Sequence, residues 1–147
     1  MKIIYLSLAL IAPFIGGCAT GSGDSLVPVT GNVTFDDKPL PNAVLTFIPS
    51  GETLGQGGVA RTDLGGKFEV TSFDLKDKGL VAGNYRVVIT KPVNPDGTDF
   101  VAAADTDMMT ATYKQLLPPV YSDQTQTKLT ADIPADNLEF KLSSKAR

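Results

Sequence analysis

The sequence predicts an all-β domain, a sandwich built from seven short strands, and three observations point to it. From Val29 onward, apolar and polar residues alternate in short runs, which is the pattern of strands with one buried face. Gly, Pro, Asn and Asp separate these runs and favour tight turns. Helical spacing of apolar residues is confined to one segment. Short strands punctuated in this way are typical of a β-sandwich.

The clearest predicted strand is 84–91, where Tyr85, Val87 and Ile89 would share the buried face. The third and fourth strands are joined by a turn at 63–66, which predicts that they form a hairpin. The seven predicted strands are 29–35, 43–48, 58–62, 67–71, 84–91, 128–133 and 138–142.

The segment 92–126 has little alternation and is long for a structureless connection. Asp105 or Thr106 could cap one short helix running to Leu117, with the Pro118-Pro119 pair as its stop signal. We expect the larger apolar residues of this segment to pack inward as a lid and its acidic residues to face solvent. The inward residues would be Met109, Tyr113, Leu116 and Tyr121, and the outward ones Asp96, Asp99, Asp105 and Asp107.

The N-terminus predicts an export signal with a lipid-attachment site. Lys2 is followed by an apolar stretch that ends in Gly16-Gly17-Cys18, and small residues of this kind precede a signal cleavage point. Cys18 is the only cysteine, and a lone cysteine in an exported protein calls for an explanation. The segment resembles a bacterial lipoprotein signal, which implies cleavage between Gly17 and Cys18 and acylation of Cys18. The alternatives are a transmembrane anchor, for which the run is short, and an ordinary secretory signal.

The predicted organisation is a signal peptide at 1–17, a lipidated flexible tether at 18–28 and one β-sandwich domain at 29–147. Removing the signal leaves 130 of the 147 residues, the size of a single domain. The tether is rich in Gly, Ser and Thr, a composition that favours flexibility. Without Lys2 the chain has 12 basic and 16 acidic residues, and this mild negative charge disfavours nucleic acid as a partner.

Four stretches resemble the carboxypeptidase regulatory-like, transthyretin-like (prealbumin-like) domain, over roughly residues 27–91. They are Val29-Thr-Gly-Asn-Val-Thr-Phe35, Lys38-Pro-Leu-Pro-Asn-Ala43, Arg61-Thr-Asp-Leu-Gly-Gly-Lys-Phe68 and Gly83-Asn-Tyr-Arg-Val87. Two later stretches, 117–123 and 129–133, are similar to the ending of small bacterial lipoproteins that carry this domain. The resemblance implies a seven-stranded Greek-key sandwich that acts as a noncatalytic module.

The resemblance also assigns structural roles to four residues. Tyr85, preceded by Gly83 at a strand entrance, resembles a tyrosine corner, whose hydroxyl bonds to upstream backbone. Asp63 is expected to cap its turn by accepting bonds from nearby backbone, rather than to bind Ca²⁺. Gly65 and Gly83 are expected where conformation or close packing excludes a side chain.

The composition excludes much catalytic chemistry. The chain has no histidine, so it lacks an imidazole base and the common zinc ligand sets. We therefore expect neither a metal nor a cofactor, and we expect no catalysis.

The expected function is that of a membrane-anchored lipoprotein of the bacterial cell envelope, on its periplasmic or surface face. It would bind an envelope protein or glycan through its loops. The alternative is a carbohydrate-binding module, although the chain has no Trp to form a sugar platform. An enzyme is the third possibility.

Overall fold

The computed structural model describes residues 25–74, 76–100, 106–107 and 110–146. The described chain is all-β, with one helix of four residues. The described residues do not include the predicted signal peptide 1–17 with its cleavage residue Gly17, or the predicted lipidation site Cys18. Asp105 and Met109 also lie outside the described residues. No helix in the described ranges is long and apolar enough to cross a membrane.

The elements are β1 Leu26–Val27, β2 Thr30–Phe35, β3 Lys38–Pro39, β4 Val44–Ser50, β5 Gly58–Arg61, β6 Lys67–Glu69, β7 Thr71–Ser72, β8 Leu80–Val81, β9 Gly83–Thr90, β10 Pro92–Val93, β11 Lys114–Gln115, α1 Pro119–Ser122, β12 Thr130–Ile133 and β13 Leu138–Leu142.

Two larger sheets contain most of these strands. One sheet has five strands in the order β12, β9, β4, β5, β7, all antiparallel. In the other sheet β2 is central, with β13 parallel on one side and β3 and β6 antiparallel on the other. Two short ribbons, β1 with β8 and β10 with β11, complete the strand pairing of the described chain.

A single hydrophobic core joins the two sheets. Phe47 of β4 lies 6.1 Å, between ring centroids, from Phe68 of β6, and Phe68 lies 6.1 Å from Phe140 of β13. All three rings are buried. Along β9, Tyr85, Val87 and Ile89 are fully buried, whereas Asn84 and Arg86 are exposed. The period of two seen in the sequence therefore describes which faces of the strands are covered.

The turn at 63–66 does not join a hairpin, contrary to the sequence prediction. β5 pairs with β4 and β7, whereas β6 pairs with β2 in the other sheet. The turn itself is tight, because the Asp63 N–H donates to the Lys67 carbonyl at 2.8 Å. The strands on either side of the turn belong to different sheets. Ala60 of β5 enters the core from the five-stranded sheet, and Phe68 of β6 enters it from the other sheet.

The predicted helix ending at Leu117 is also wrong. The described residues just before Leu117 form the extended strand β11, and α1 starts at the two prolines that were expected to stop a helix. Pro118 is the N-cap residue and Pro119 opens the helix. Proline suits the first helical turn because its missing N–H would have no partner there.

The domain has two ends that matter for function. β9 spans about 23 Å from Gly83 to Thr90, at about 3.3 Å per residue. At the Gly83 end, β1 pairs with β8, so the described chain enters here; we call this the entry end. Leu26 and Val27, which the sequence assigned to the tether, thus belong to the folded domain. The Thr90 end, where β4 begins opposite Thr90, is called the far end.

Candidate functional site

A groove lies on the outer face of the five-stranded sheet at the far end. Three neighbouring strands supply its floor, because Val44 of β4 is paired with Arg61 of β5 on one side and with Thr90 of β9 on the other. The segment after β9 supplies the wall. The groove has a volume of about 290 Å³ and is lined by Val44, Arg61, Thr90, Pro92, Phe100, Tyr113 and Gln115.

The wall of the groove carries an aromatic pair. The rings of Phe100 and Tyr113 lie 5.2 Å apart between centroids with an interplanar angle of 34°, a tilted arrangement that is favourable for aromatic rings. Tyr113 remains 43% exposed. The pair therefore offers an apolar surface to a ligand, with the Tyr113 hydroxyl at hand for a hydrogen bond.

Polar groups with unused hydrogen-bonding capacity flank the aromatic pair. The Gln115 side-chain oxygen accepts from the Lys91 N–H at 2.7 Å, and its amide N–H groups have no partner among the described residues. The Arg61 side chain forms no ion pair or hydrogen bond with the described residues. The groove thus combines apolar surface with several donors and one cation, which is the composition of a binding site with few, placed polar groups.

Arg61 also belongs to a second cleft, which continues along the same sheet face. This cleft has a volume of about 310 Å³ and includes Val44 and Arg61 in its lining, with Val59, Ala60, Glu69 and Thr71. Because the two clefts share Arg61, a ligand longer than the groove could extend across it.

An ion pair between a buried lysine and an exposed aspartate holds the start of the wall. The Lys91 side chain is only 4% exposed, and its ammonium group pairs with the Asp99 carboxylate. The other Asp99 oxygen accepts from the Asn42 Nδ2 at 2.6 Å. The hydrogen bond from Lys91, and then that from Asn42, holds the pKa of Asp99 below its ordinary value. A buried ammonium needs such a partner, so the loop that carries Asp99 is tied to the sheet.

The predicted lid is wrong for two of its residues. Tyr113 and Leu116 are 43% and 44% exposed, whereas Leu117 is buried in the core. The Leu116 N–H bonds to the Lys91 carbonyl at 3.0 Å, so this stretch is extended and neighbouring residues point to opposite sides. Tyr121 does pack against the core, and its hydroxyl accepts from the Ser143 N–H at 3.2 Å.

The predicted outward aspartates behave differently from one another. Asp96 and Asp107 are exposed, and the Asp96 carboxylate accepts from the Thr98 N–H at 2.9 Å within its own loop. The hydrogen bond from the Thr98 hydroxyl, at 2.7 Å, and then that from the Thr98 N–H, lower the pKa of Asp96. Asp99 is exposed as predicted, and it is in addition the counter-ion of Lys91.

Asp63 and Tyr85 each bond to backbone groups within four residues of themselves. The Asp63 carboxylate accepts from the Gly65 and Lys67 N–H groups at 2.8 and 2.9 Å. The Tyr85 hydroxyl donates to the Val81 carbonyl at 2.7 Å, and burial raises the pKa of Tyr85. Asp63 lies in a far-end turn and Tyr85 near the entry end, so the two residues do not form one site.

The glycine of the 63–66 turn that cannot carry a side chain is Gly66, not Gly65. Gly66 has φ +76°, and a Cβ there would lie 2.5 Å from the Val33 carbonyl oxygen, whereas a Cβ on Gly65 would meet only Asp63, at 3.4 Å. Gly83 has φ +152°, and a Cβ there would lie 2.5 Å from the Thr53 side chain. Gly66 and Gly83 therefore both stand where backbone conformation and close packing exclude a side chain.

Sequence reasoning did not find the groove. Its floor residues are ordinary outward positions of strands, and only the sheet register brings Arg61, Val44 and Thr90 into one row. One signal was present, because Phe100 and Tyr113 are aromatic residues in a segment without alternation. Within the described ranges, no three acidic, Cys or His residues are grouped so as to hold a metal ion.

Comparison of the chain with protein-family models, with curated proteins and with solved structures found no match.

Proposed function

We propose that this protein is a noncatalytic, lipid-anchored module of the bacterial cell envelope, and that its far-end groove binds another envelope component. The observation that carries the proposal is the separation of the two ends. The chain enters at the Gly83 end of β9, and the groove lies at the Thr90 end, about 23 Å away. An anchor that precedes β1 would leave the groove facing away from the membrane.

The anchor in this proposal is lipid on Cys18, after cleavage behind Gly17. Seven residue steps separate Cys18 from Ser25, so even a fully extended chain would span no more than about 25 Å. Two or more acyl chains hold a protein stably at a membrane. The entry end would therefore stay close to the bilayer, on the periplasmic or surface face.

The fold in this proposal is the transthyretin-like Greek-key sandwich. In the described chain, the strands of three or more residues number seven, and they divide into two facing sheets. One group is β12, β9, β4 and β5, and the other is β13, β2 and β6. The bond from the Tyr85 hydroxyl to Val81 is a second support, since it has the form of a tyrosine corner. Such sandwiches commonly carry binding loops on a rigid frame.

A specific observation favours the carbohydrate-binding alternative as a second candidate. The exposed ring of Tyr113, backed by Phe100, offers the flat apolar face that a sugar ring can cover, although the chain has no Trp. Arg61 and Gln115 supply donors for hydroxyl or carboxylate oxygens beside it.

The anchor is tested by mass spectrometry of protein extracted from membranes. The expected N-terminal residue is an acylated Cys18. An unmodified Cys18, or a chain that keeps residues 1–17, contradicts the anchor.

The groove is tested by photo-crosslinking in the native envelope from a reactive amino acid placed at position 113, followed by identification of the product. Tyr113→Ala and Arg61→Gln should each weaken binding of that partner about tenfold, as expected for residues at the centre of an interface. Leu116→Ala and Arg86→Gln are matched controls, because both residues are exposed and neither lines the groove.

A glycan array with the purified protein separates the two candidates. Binding to a glycan that is lost in Tyr113→Ala supports the carbohydrate alternative, and a protein crosslink from position 113 supports the leading one. If the groove variants and the controls bind equally, the groove is not the binding site.

A further inference from the structure

Two large apolar side chains are exposed at the entry end. Leu54 is 65% exposed and Phe73 is 42% exposed, on two loops that leave the five-stranded sheet at that end. The other exposed large apolar residues of the described chain, Leu64, Tyr113 and Leu116, belong to the far end. Leu54 and Phe73 therefore place exposed apolar side chains at the entry end, on two loops that we together call the entry rim.

The loop that carries Leu54 is held in place by backbone contacts. The Thr53 hydroxyl accepts from the Asn84 N–H at 2.7 Å and donates to the Asn84 carbonyl at 2.9 Å. Leu54 thus follows a residue that is fixed to the start of β9. The two bonds hold the chain beside Leu54 at the edge of the sheet, where the Leu54 side chain is exposed.

The second loop contacts the first. The Phe73 N–H donates to the Gly57 carbonyl at 3.2 Å. A cleft of about 160 Å³ lies beside this contact, and its lining includes Leu26, Phe73 and Tyr85. Leu26 belongs to β1, so the entering chain lies beside the rim.

We infer that Leu54 and Phe73 insert into the interfacial layer of the lipid bilayer and give the domain a second membrane contact. The inference rests on the lipid anchor of the proposed function, because at most about 25 Å of extended chain separates Cys18 from Ser25. Apolar side chains enter such an interface by about 5–10 Å. Insertion would fix the orientation of β9, and with it the outward direction of the far-end groove.

The charges of these loops indicate that the contact is apolar. Glu52, Asp74 and Asp77 are exposed beside Lys76 and Lys78, and Lys78 is paired with Glu69, so these loops carry no excess of basic charge to attract anionic headgroups. Insertion should therefore occur in a bilayer of phosphatidylcholine, which has no net charge.

The test uses the absence of tryptophan from the chain. Leu54→Trp, Phe73→Trp and the control Leu64→Trp each introduce one fluorophore into the full-length lipidated protein, which is reconstituted into phosphatidylcholine vesicles. At positions 54 and 73 the emission should shift to shorter wavelength, and lipids brominated on their acyl chains should quench it. At position 64, which is 86% exposed at the far end, neither change is expected.

Two readouts separate failure of the rim from failure of the anchor. Vesicle flotation of the wild type and of Cys18→Ser reports the anchor, and loss of flotation only in Cys18→Ser supports it. If the wild type floats but emission at position 54 matches that at position 64, the inference is overturned. Far-UV circular dichroism checks folding; should Phe73→Trp fail to fold, Leu54→Trp decides alone, since Leu54 is more exposed.

Discussion

The Asp99 carboxylate shows how much one residue contributes to the site. It accepts hydrogen bonds from Lys91, between β9 and β10, and from Asn42, between β3 and β4, and it precedes Phe100 of the aromatic wall. Because the Lys91 side chain is almost fully buried, its charge has few alternatives to this partner.

Asp99→Asn should destabilise the domain by about 1–2 kcal/mol, because it leaves the Lys91 ammonium without a counter-ion. This figure is below the cost of breaking a fully buried pair, because the Asp99 side chain is 39% exposed and water screens it. Urea unfolding measures the effect. Glu69→Gln is the matched control, since it removes the partner of the exposed Lys78 and should change stability by less than about 0.5 kcal/mol.

The same pair predicts a dependence on pH. The folded-state pKa of Asp99 lies below its ordinary value, so its ionised form stabilises the fold above the unfolded-state pKa of about 4. That contribution is lost as the pH falls through the lowered folded-state pKa. The stability difference between wild type and Asp99→Asn should therefore be constant near neutral pH and narrow in acid. A difference that stays constant down to the acid transition would contradict the assignment.

Thr62 is a buried polar residue whose role the alternation pattern does not reveal. It is 2% exposed; its hydroxyl donates to the Leu40 carbonyl at 2.6 Å and accepts from the Ala43 N–H at 2.8 Å. Thr62→Val keeps the shape but leaves both backbone groups without this partner, and we expect a loss of about 1–3 kcal/mol.

Thr46→Val is the control for Thr62→Val, measured by the same urea unfolding. Thr46 is half-buried on the outer face of β4, and its substitution should stay within about 0.5 kcal/mol. Equal losses in the two variants would show that the Thr62 hydroxyl bonds add nothing to stability.

At the scale of elements, alternation predicts which residues form strands better than it predicts which strands pair. The last strand is found at 138–142 as predicted, because its alternate residues Phe140 and Leu142 are buried. The prediction that strand 67–69 pairs with the preceding strand is wrong, because β6 joins the sheet of β2 and brings Phe68 into the core from that side. The Pro118-Pro119 pair carries the same local signal whether it ends one helix or begins another.

For a related reason, the groove could not be predicted from short stretches of sequence. Its floor depends on the register of β4 with two neighbours, and its wall on the contact of Asp99 with Asn42, which is 57 residues away in the sequence. By contrast, the contacts of Asp63 and Tyr85 join residues within four positions, and short sequence patterns carry that information.

Strand β13 should be required for folding. It is the parallel partner of β2 along its whole length, and it brings Phe140 and Leu142 into the core. Deleting residues 138–147 removes both side chains, each worth about 2–5 kcal/mol on truncation, from a domain whose total stability is expected at about 5–15 kcal/mol. We expect loss of the far-UV circular dichroism of the native fold.

A shorter deletion is the control for β13. Removing residues 144–147 leaves the strand intact and takes away a surface contact, the bond from the Ser144 N–H to Asp36. This variant should keep the native spectrum. A folded protein lacking residues 138–147 would show that β2 does not need its parallel partner.

At the scale of the whole molecule, one core joins both sheets. The buried cluster contains Val33 of β2, Leu45 of β4, Ala131 of β12 and Phe140 of β13. Neither sheet can lose its partner without exposing these side chains, so the two sheets should not unfold separately.

We therefore expect thermal unfolding in one cooperative transition that does not depend on metal or redox conditions. With a single cysteine in the chain, no disulfide can form within it, and the described residues contain no metal-holding group. Calorimetry with chelator, with Ca²⁺ and with a reductant should give melting temperatures that agree within error. A rise of several degrees with Ca²⁺ would instead point to turn carboxylates such as those of Asp96 and Asp123, whose Oδ1 atoms already accept hydrogen bonds from nearby threonines. Two separate transitions would show that the sheets are stabilised independently, and that the groove could lose its wall while the core remains folded.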